Sequence, residues 1–160
     1  PEVTSYGHNI ELAWLALHAE EVLRRLGSPV DAARSRARLE PIFRHPLEHG
    51  VDRAHGGLYV EGPRGGEATD RDKEFWQQAE AMVGFLDAYL LLREERYLDA
   101  FRRVHDFVFR HLVHPDLGEW FALASREGRV KRDYLGHSWK ICYHTVRATC
   151  LVVRKLGMIV

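Results

Sequence analysis

Three short clusters of polar and aromatic residues recur along this chain, roughly 65 to 70 residues apart, each at the start of an apolar helical run. They are His8-Asn9-Ile10-Glu11, then Trp76-Gln77-Gln78-Ala79-Glu80, then Trp139-Lys140 leading to Tyr143-His144. The interval is the length of one helical hairpin with a long loop, so the chain reads as loop, helix, short turn, helix, repeated. A hairpin of this size cannot bury its apolar stripe alone. Stacked hairpins can, and stacking brings equivalent helix ends together at one mouth. SWKICYH, residues 138–144, is then one of three wall segments converging on a single pocket.

Helical periodicity supports five helices. The first runs from Asn9 to Leu26, with Ile10, Trp14, Leu17, Val22 and Leu23 on its stripe, widened by Leu12, Leu15 and Ala16, and Gly27 ends it. The second covers Asp31 to about His49, and Pro41 and Pro46 are expected to kink or shorten it. Asp72 is the expected cap of a third, from Lys73 to about Arg93. A fourth spans Arg96 to Val113, and a fifth runs from about Tyr143 to Leu156, stopped by Gly157. The two long connections are rich in Gly and carry short alternating runs at Gly57–Glu61 and Glu119–Ala124, so a hairpin is expected in each. Long loops in a compact helical domain are usually functional. The expectation is a single all-α domain over residues 1–160.

Composition narrows the partners. With 23 basic and 23 acidic residues the formal charge is zero, so nothing draws in nucleic acid or an anionic membrane. Arg102, Arg103 and Arg110 cluster, but Asp99 and Asp106 are interleaved with them, as on a solvated helix face. No apolar stretch has the length of a membrane span, and no signal-peptide pattern opens the chain. A first residue of Pro fits either loss of an initiator Met or a fragment. Cys142 and Cys150, eight residues apart in one helix, lie about 12 Å apart along its axis, beyond disulfide reach. Reduced, buried thiols in a cytoplasmic protein are the expectation.

Spacing selects the candidate site residues. His8 and Glu11 share a face of a first helical turn, and so do Trp76 and Glu80 one turn apart. Ring stacking by Trp with hydrogen bonds from a carboxylate is a common grip on a sugar. Trp139 and His144 repeat the pairing of an aromatic with a titratable group, while Tyr143 is read as core and Lys140 as surface. Two imidazoles on opposite sides of one carbon could remove a proton from one face and return it to the other. The bland alternatives are helix-end charge complementarity for Glu11, a backbone bond for His8, a core Trp76 and a solvated Glu80.

His45-Pro46-Leu47-Glu48-His49 matches a zinc-peptidase pattern, H-x-x-E-H. That pattern needs an intact helix, and Pro46 sits inside it. No metal site is expected there, nor among His18, His55, His105, His111, His114 and His137. No glycine-rich phosphate motif is present either, so no nucleotide cofactor is expected.

Taken together, SYGHNIELAWL (5–15), GGLYVEG (56–62), KEFWQQAEAMVGFLDAY (73–89), GEWF (118–121) and WKICYH (139–144) resemble the N-acylglucosamine 2-epimerase superfamily. Within it they look most like the cellobiose 2-epimerase branch, over its C-terminal portion. The resemblance implies an (α/α)6 barrel of six helical hairpins around a central pocket, of which five helices form an incomplete ring. It implies interconversion of glucose- and mannose-type reducing-end sugars at C2, with no cofactor and no metal. One His takes the C2 proton to give a cis-enediol(ate), and a second returns it to the other face. Carried over motif by motif, His8 and His144 are the acid–base pair. Glu11 holds a sugar hydroxyl or orients His8. Trp76 and Trp139 wall the sugar, and Glu80 is a further polar contact.

Two departures look tolerable: Phe75 stands where many relatives have a second Trp, and Cys142 where many have Pro. A third is an absence, because the family's pocket also uses an Arg and a His from the N-terminal half. Either the chain is a truncated product, or the ring closes through another chain such as a second copy. Two other readings differ in class. One is an inactive helical fragment that only binds sugar or a partner chain. The other is a glycoside hydrolase using Glu11 and Glu80 as its carboxylate pair.

Overall fold

The computed structural model describes residues 3–159. Five α-helices carry the fold: α1 Tyr6–Arg25, α2 Ala32–His45, α3 Phe75–Leu92, α4 Glu95–Phe107 and α5 Tyr143–Leu156. Helix α3 is buried along nearly its whole length because α1 and α5 flank it and α4 covers a further side. Helix α2 packs on α1 and touches α3. The first helices of successive hairpins thus lie side by side, with the second helices behind them.

Helix α1 starts three residues earlier than its periodicity suggests, at an N-cap supplied by Ser5, whose hydroxyl accepts from the His8 amide at 3.4 Å. His8 therefore stands in the first turn. The other end closes at Gly27, whose φ of 80° only glycine adopts readily. Gly27 N–H donates to Arg24 and Ser28 N–H to Leu23, a paired wrap that satisfies the last carbonyls. Helices α1 and α3 approach closely where glycine removes a side chain. A Cβ at Gly7 would lie 2.5 Å from Gln77, and one at Gly84 would collide with Ile10.

Both second helices end in a π-helical turn, Pro46–Gly50 and Val108–Leu112, and the chain then repeats one hydrogen-bond pattern. Val51 donates to Pro46, and Val113 to Val108. Asp52 accepts the amides of Ala54 and His55, and His114 Nδ1 accepts those of Asp116 and Leu117. Gly56 and Gly118, both at positive φ, return the chain. Of the two prolines in the second helix, Pro41 lies inside α2 without ending it, and Pro46 marks the change from α to π.

Strand pairing goes beyond the hairpin expected in each loop. The first loop contributes β2 (Glu61–Pro63), which folds back on its own loop through an antiparallel bridge from Glu61 to Asp70 and also pairs antiparallel with β1 (Val3–Ser5) at the chain's beginning. In the second loop β4 (Leu123–Ala124) does form a hairpin with β5 (Val130–Arg132), but it also pairs with β3 (Lys73–Glu74). Each loop is thereby stitched to the residues entering a first helix. Because residues 73–74 are extended, Asp72 does not cap α3. The cap position is Glu74, and Asp72 pairs with Lys131.

Two buried lysines fasten these entry segments. Lys73 is fully buried, donating to Asp52 at 3.3 Å and to the Gly56 carbonyl at 2.9 Å, over the Tyr59 ring. Lys140 repeats the device ahead of α5, reaching Glu119 at 3.2 Å and the Leu135 carbonyl at 2.8 Å, over Phe75. The sequence reading of Lys140 as surface and Tyr143 as core is inverted, since Lys140 is 1% exposed and Tyr143 44%. A lysine loses its water shell only where a carboxylate and a carbonyl replace it, and those partners come from the loop that precedes each helix. Cys142 and Cys150 are free but exposed, contrary to expectation, on a flank of α5 that nothing described covers. Val22 and Leu23, placed on the core stripe of α1, are exposed too.

Burial pushes the Lys73 ammonium down to about 8, against the pull of Asp52. Burial alone would raise the Asp52 carboxyl. Arg126, Lys73 and the two amides outweigh that and hold it well below the usual carboxylate range. A carboxyl depressed on folding contributes stability above its unfolded value of 3.8, and that contribution is lost as pH falls further. Asp52→Asn is expected to cost about 3–5 kcal/mol at neutral pH, because it strands a buried ammonium. It should also flatten the decline in stability below 3.8, read by urea unfolding at stepped pH.

Candidate active site

Helices α1, α3 and α5 present their first turns to one cavity of about 500 Å³. His8, Glu11, Trp76, Trp139 and His144 all line it, so the structure brings together five of the six residues singled out from sequence. The Trp76 ring lies beside both imidazoles, 4.7 Å from His8 and 5.7 Å from His144 between ring centres. Its indole N–H donates to Glu74 at 2.8 Å, which fixes the ring plane. Phe75 meets His144 edge-on, and the Tyr143 ring lies 4.3 Å from the imidazole between centres. Trp139 is 89% exposed and lines the cavity rim with Arg132, Tyr134 and His137.

Glu80, the sixth, sits behind the cavity at 1% exposure. Its Oε2 accepts the Trp14 indole N–H at 2.8 Å, and its Oε1 accepts from Arg147 and faces His144 Nδ1 at 2.5 Å. With Trp14 and Arg147 donating to it, an ionised Glu80 can only accept from its third neighbour, which assigns the hydrogen to Nδ1. His144 Nε2 and both ring nitrogens of His8 make no hydrogen bond to the described residues. These are the nitrogens free for a ligand.

Sequence reasoning missed Trp14, Lys140 and Arg147. Arg147 was the most legible of them: it follows His144 by three residues, as Glu11 follows His8 and Glu80 follows Gln77. It joins the three helices, bonding Glu80, reaching Glu11 at 3.5 Å and donating to the Tyr143 hydroxyl. Glu11, Glu80 and His144 offer ligand atoms within 4.8 Å of one another, the one such group of three among the described residues. His45 and His49 take no part in it. His45 bonds Asn9 and the Arg64 carbonyl instead.

The family profile for N-acylglucosamine 2-epimerase matches residues 1–148, and the chain belongs to that family. The human N-acylglucosamine 2-epimerase is 31% identical over 155 residues, covering 94% of this chain and 35% of that protein. A cellobiose 2-epimerase from Eubacterium cellulosolvens is 28% identical, covering 98% and 37%. Among solved structures, the cellobiose 2-epimerase of Spirochaeta thermophila superposes with a TM-score of 0.84 at 36% identity, over 98% of this chain and 38% of that one. The chain thus spans little more than a third of the length of these relatives. A D-mannose isomerase (23% identity, TM-score 0.81) and a family 76 mannosidase from Bacteroides thetaiotaomicron (18%, 0.64) share the fold.

Lys140→Met is expected to leave the helices folded while amides across residues 135–145 lose protection in hydrogen exchange. Unchanged protection there would show that the Lys140 contacts do not hold the segment.

Proposed function

We propose that this chain forms one side of a sugar 2-epimerase active site, with His144 and His8 as its two proton-transferring groups. The observation that carries the reading is two imidazoles on separate helices lining one cavity, each with an unengaged nitrogen and one indole beside both. With the sugar ring open, His144 Nε2 takes the C2 proton and electrons move onto the C1 carbonyl to give a cis-enediol(ate). His8 then delivers a proton to the opposite face of C2, inverting it, and the reverse direction exchanges the roles. Trp76 supports the sugar, Glu11 holds a hydroxyl, and Trp139 closes the rim. Glu80 acts through His144 by fixing its tautomer and not by touching sugar. A buried Glu80 tied to Arg147 also disfavours a hydrolytic carboxylate pair.

A second observation bears on how the pocket is completed. Leu12, Leu15 and Val22, with the C-cap residue Leu26, form an exposed stripe along α1, and Val146 and Val153 form one on α5. Apolar flanks on both sides of a three-helix wall suit further helices continuing the ring, from elsewhere in a longer protein or from a second copy. An (α/α)6 barrel is the architecture this completes. Among the described residues no helix is long and apolar enough to cross a membrane, and a cytoplasmic, sugar-binding protein is the reading we favour.

Incubating glucose, mannose and cellobiose with the chain in D₂O tests the chemistry. Deuterium should enter C2, and epimerisation should stop in both His8→Ala and His144→Ala. Each variant should keep exchange on one epimer only, because each retains one base. No exchange by the intact chain would favour the inactive, binding-only reading. Light scattering should show association of the isolated chain; a stable monomer that binds no hydrophobic dye would contradict the open-wall account.

A further inference from the structure

Two carboxylates and an imidazole gathered from three helices make a donor set suited to a divalent ion. In this protein they already face a cation, the guanidinium of Arg147. We propose that Arg147 is a positioning residue that takes the place of a metal ion, holding Glu11 and Glu80 so that Glu80 serves His144 and not an ion.

The placement is specific. Arg147 Nη2 binds Glu80 Oε1, the oxygen that also meets His144 Nδ1, and the same nitrogen reaches Glu11 Oε1 at 3.5 Å. The guanidinium packs on two rings, 4.2 Å over that of Tyr143 and 4.8 Å over that of Trp14. Its Nη1 donates to the Tyr143 hydroxyl. Arginine cannot lose its proton in a protein, so the charge stays in place whatever the sugar does. A divalent ion at this point would compete for Glu80 and would draw a lone pair from His144, consuming the group needed as a base. The charge also offsets one of two neighbouring carboxylates, leaving Glu11 able to accept a hydroxyl. What His144 does chemically rests on the epimerase reading, but the occupation of a metal-like position by Arg147 does not.

Calorimetric titration of the full chain with Zn²⁺ at neutral pH tests it, using wild type, Glu80→Gln, Arg147→Gln, Arg147→Lys and the Arg147→Gln/Glu80→Gln double variant. Ten histidines will bind some zinc everywhere, so the readout is the difference between proteins. Arg147→Gln should gain one zinc equivalent that wild type, Arg147→Lys and the double variant lack. A merely structural role for Arg147 would give no such gain and no rescue by lysine. A folded Arg147→Gln, checked by circular dichroism, that gains nothing would overturn the proposal. If that variant does not fold, wild type against Glu80→Gln decides. Matching isotherms support a guanidinium in the position, and a zinc equivalent lost on removing Glu80 overturns it. Absence of C2 exchange in wild type would sink the epimerase reading while leaving the zinc comparison intact.

Discussion

One buried carboxylate organises the site. Glu80 stands on the middle helix of three and accepts an indole N–H from α1 and two donors from α5. Burying an acidic side chain to this depth is costly unless its lone pairs are met, and here the partners come from both neighbours. The contact therefore fixes more than a local geometry. It sets the distance between α1 and α5, and with it the separation of His8 from His144 across the cavity. That span is achievable because Gly7 and Gly84 let α1 settle close against α3.

The loops complete the arrangement by anchoring the entry into each first helix. Asp52 with Lys73, and Glu119 with Lys140, are equivalent pairings of a loop carboxylate with a buried ammonium. Thr145 adds a hydroxyl to Glu119, tying the start of α5 to the same point. Trp76 and His144 each lie a few residues beyond one of these anchors. A site assembled from helix starts needs those starts held still, and the repeated π-turn and strand pairing do that twice in the same way.

Residues whose placement depends on position within a helix were legible in the sequence. His8 and Glu11 share a face by spacing alone, as do Trp76 and Glu80, and the recurrence of the clusters foretold convergence. Roles that depend on a distant partner were not. Lys140 looks like any solvent-facing lysine until Glu119 arrives from the preceding loop. Glu80 looks like a polar edge until Trp14 and Arg147 close over it. The expected loop hairpins form, but the further pairing of β2 and β4 with helix-entry segments far away in sequence was illegible for the same reason. Exposed thiols and the uncovered half of the α1 stripe were misjudged because periodicity marks an apolar face without saying what covers it.

The account stands on His144 holding its hydrogen toward Glu80 and presenting Nε2 to the cavity. Long-range ¹⁵N correlation NMR on histidine-labelled protein reads this directly. In the neutral imidazole the prediction is a protonated Nδ1 and a bare Nε2. A spectrum showing the hydrogen on Nε2 would contradict it, since Glu80 would then face a nitrogen with nothing to donate.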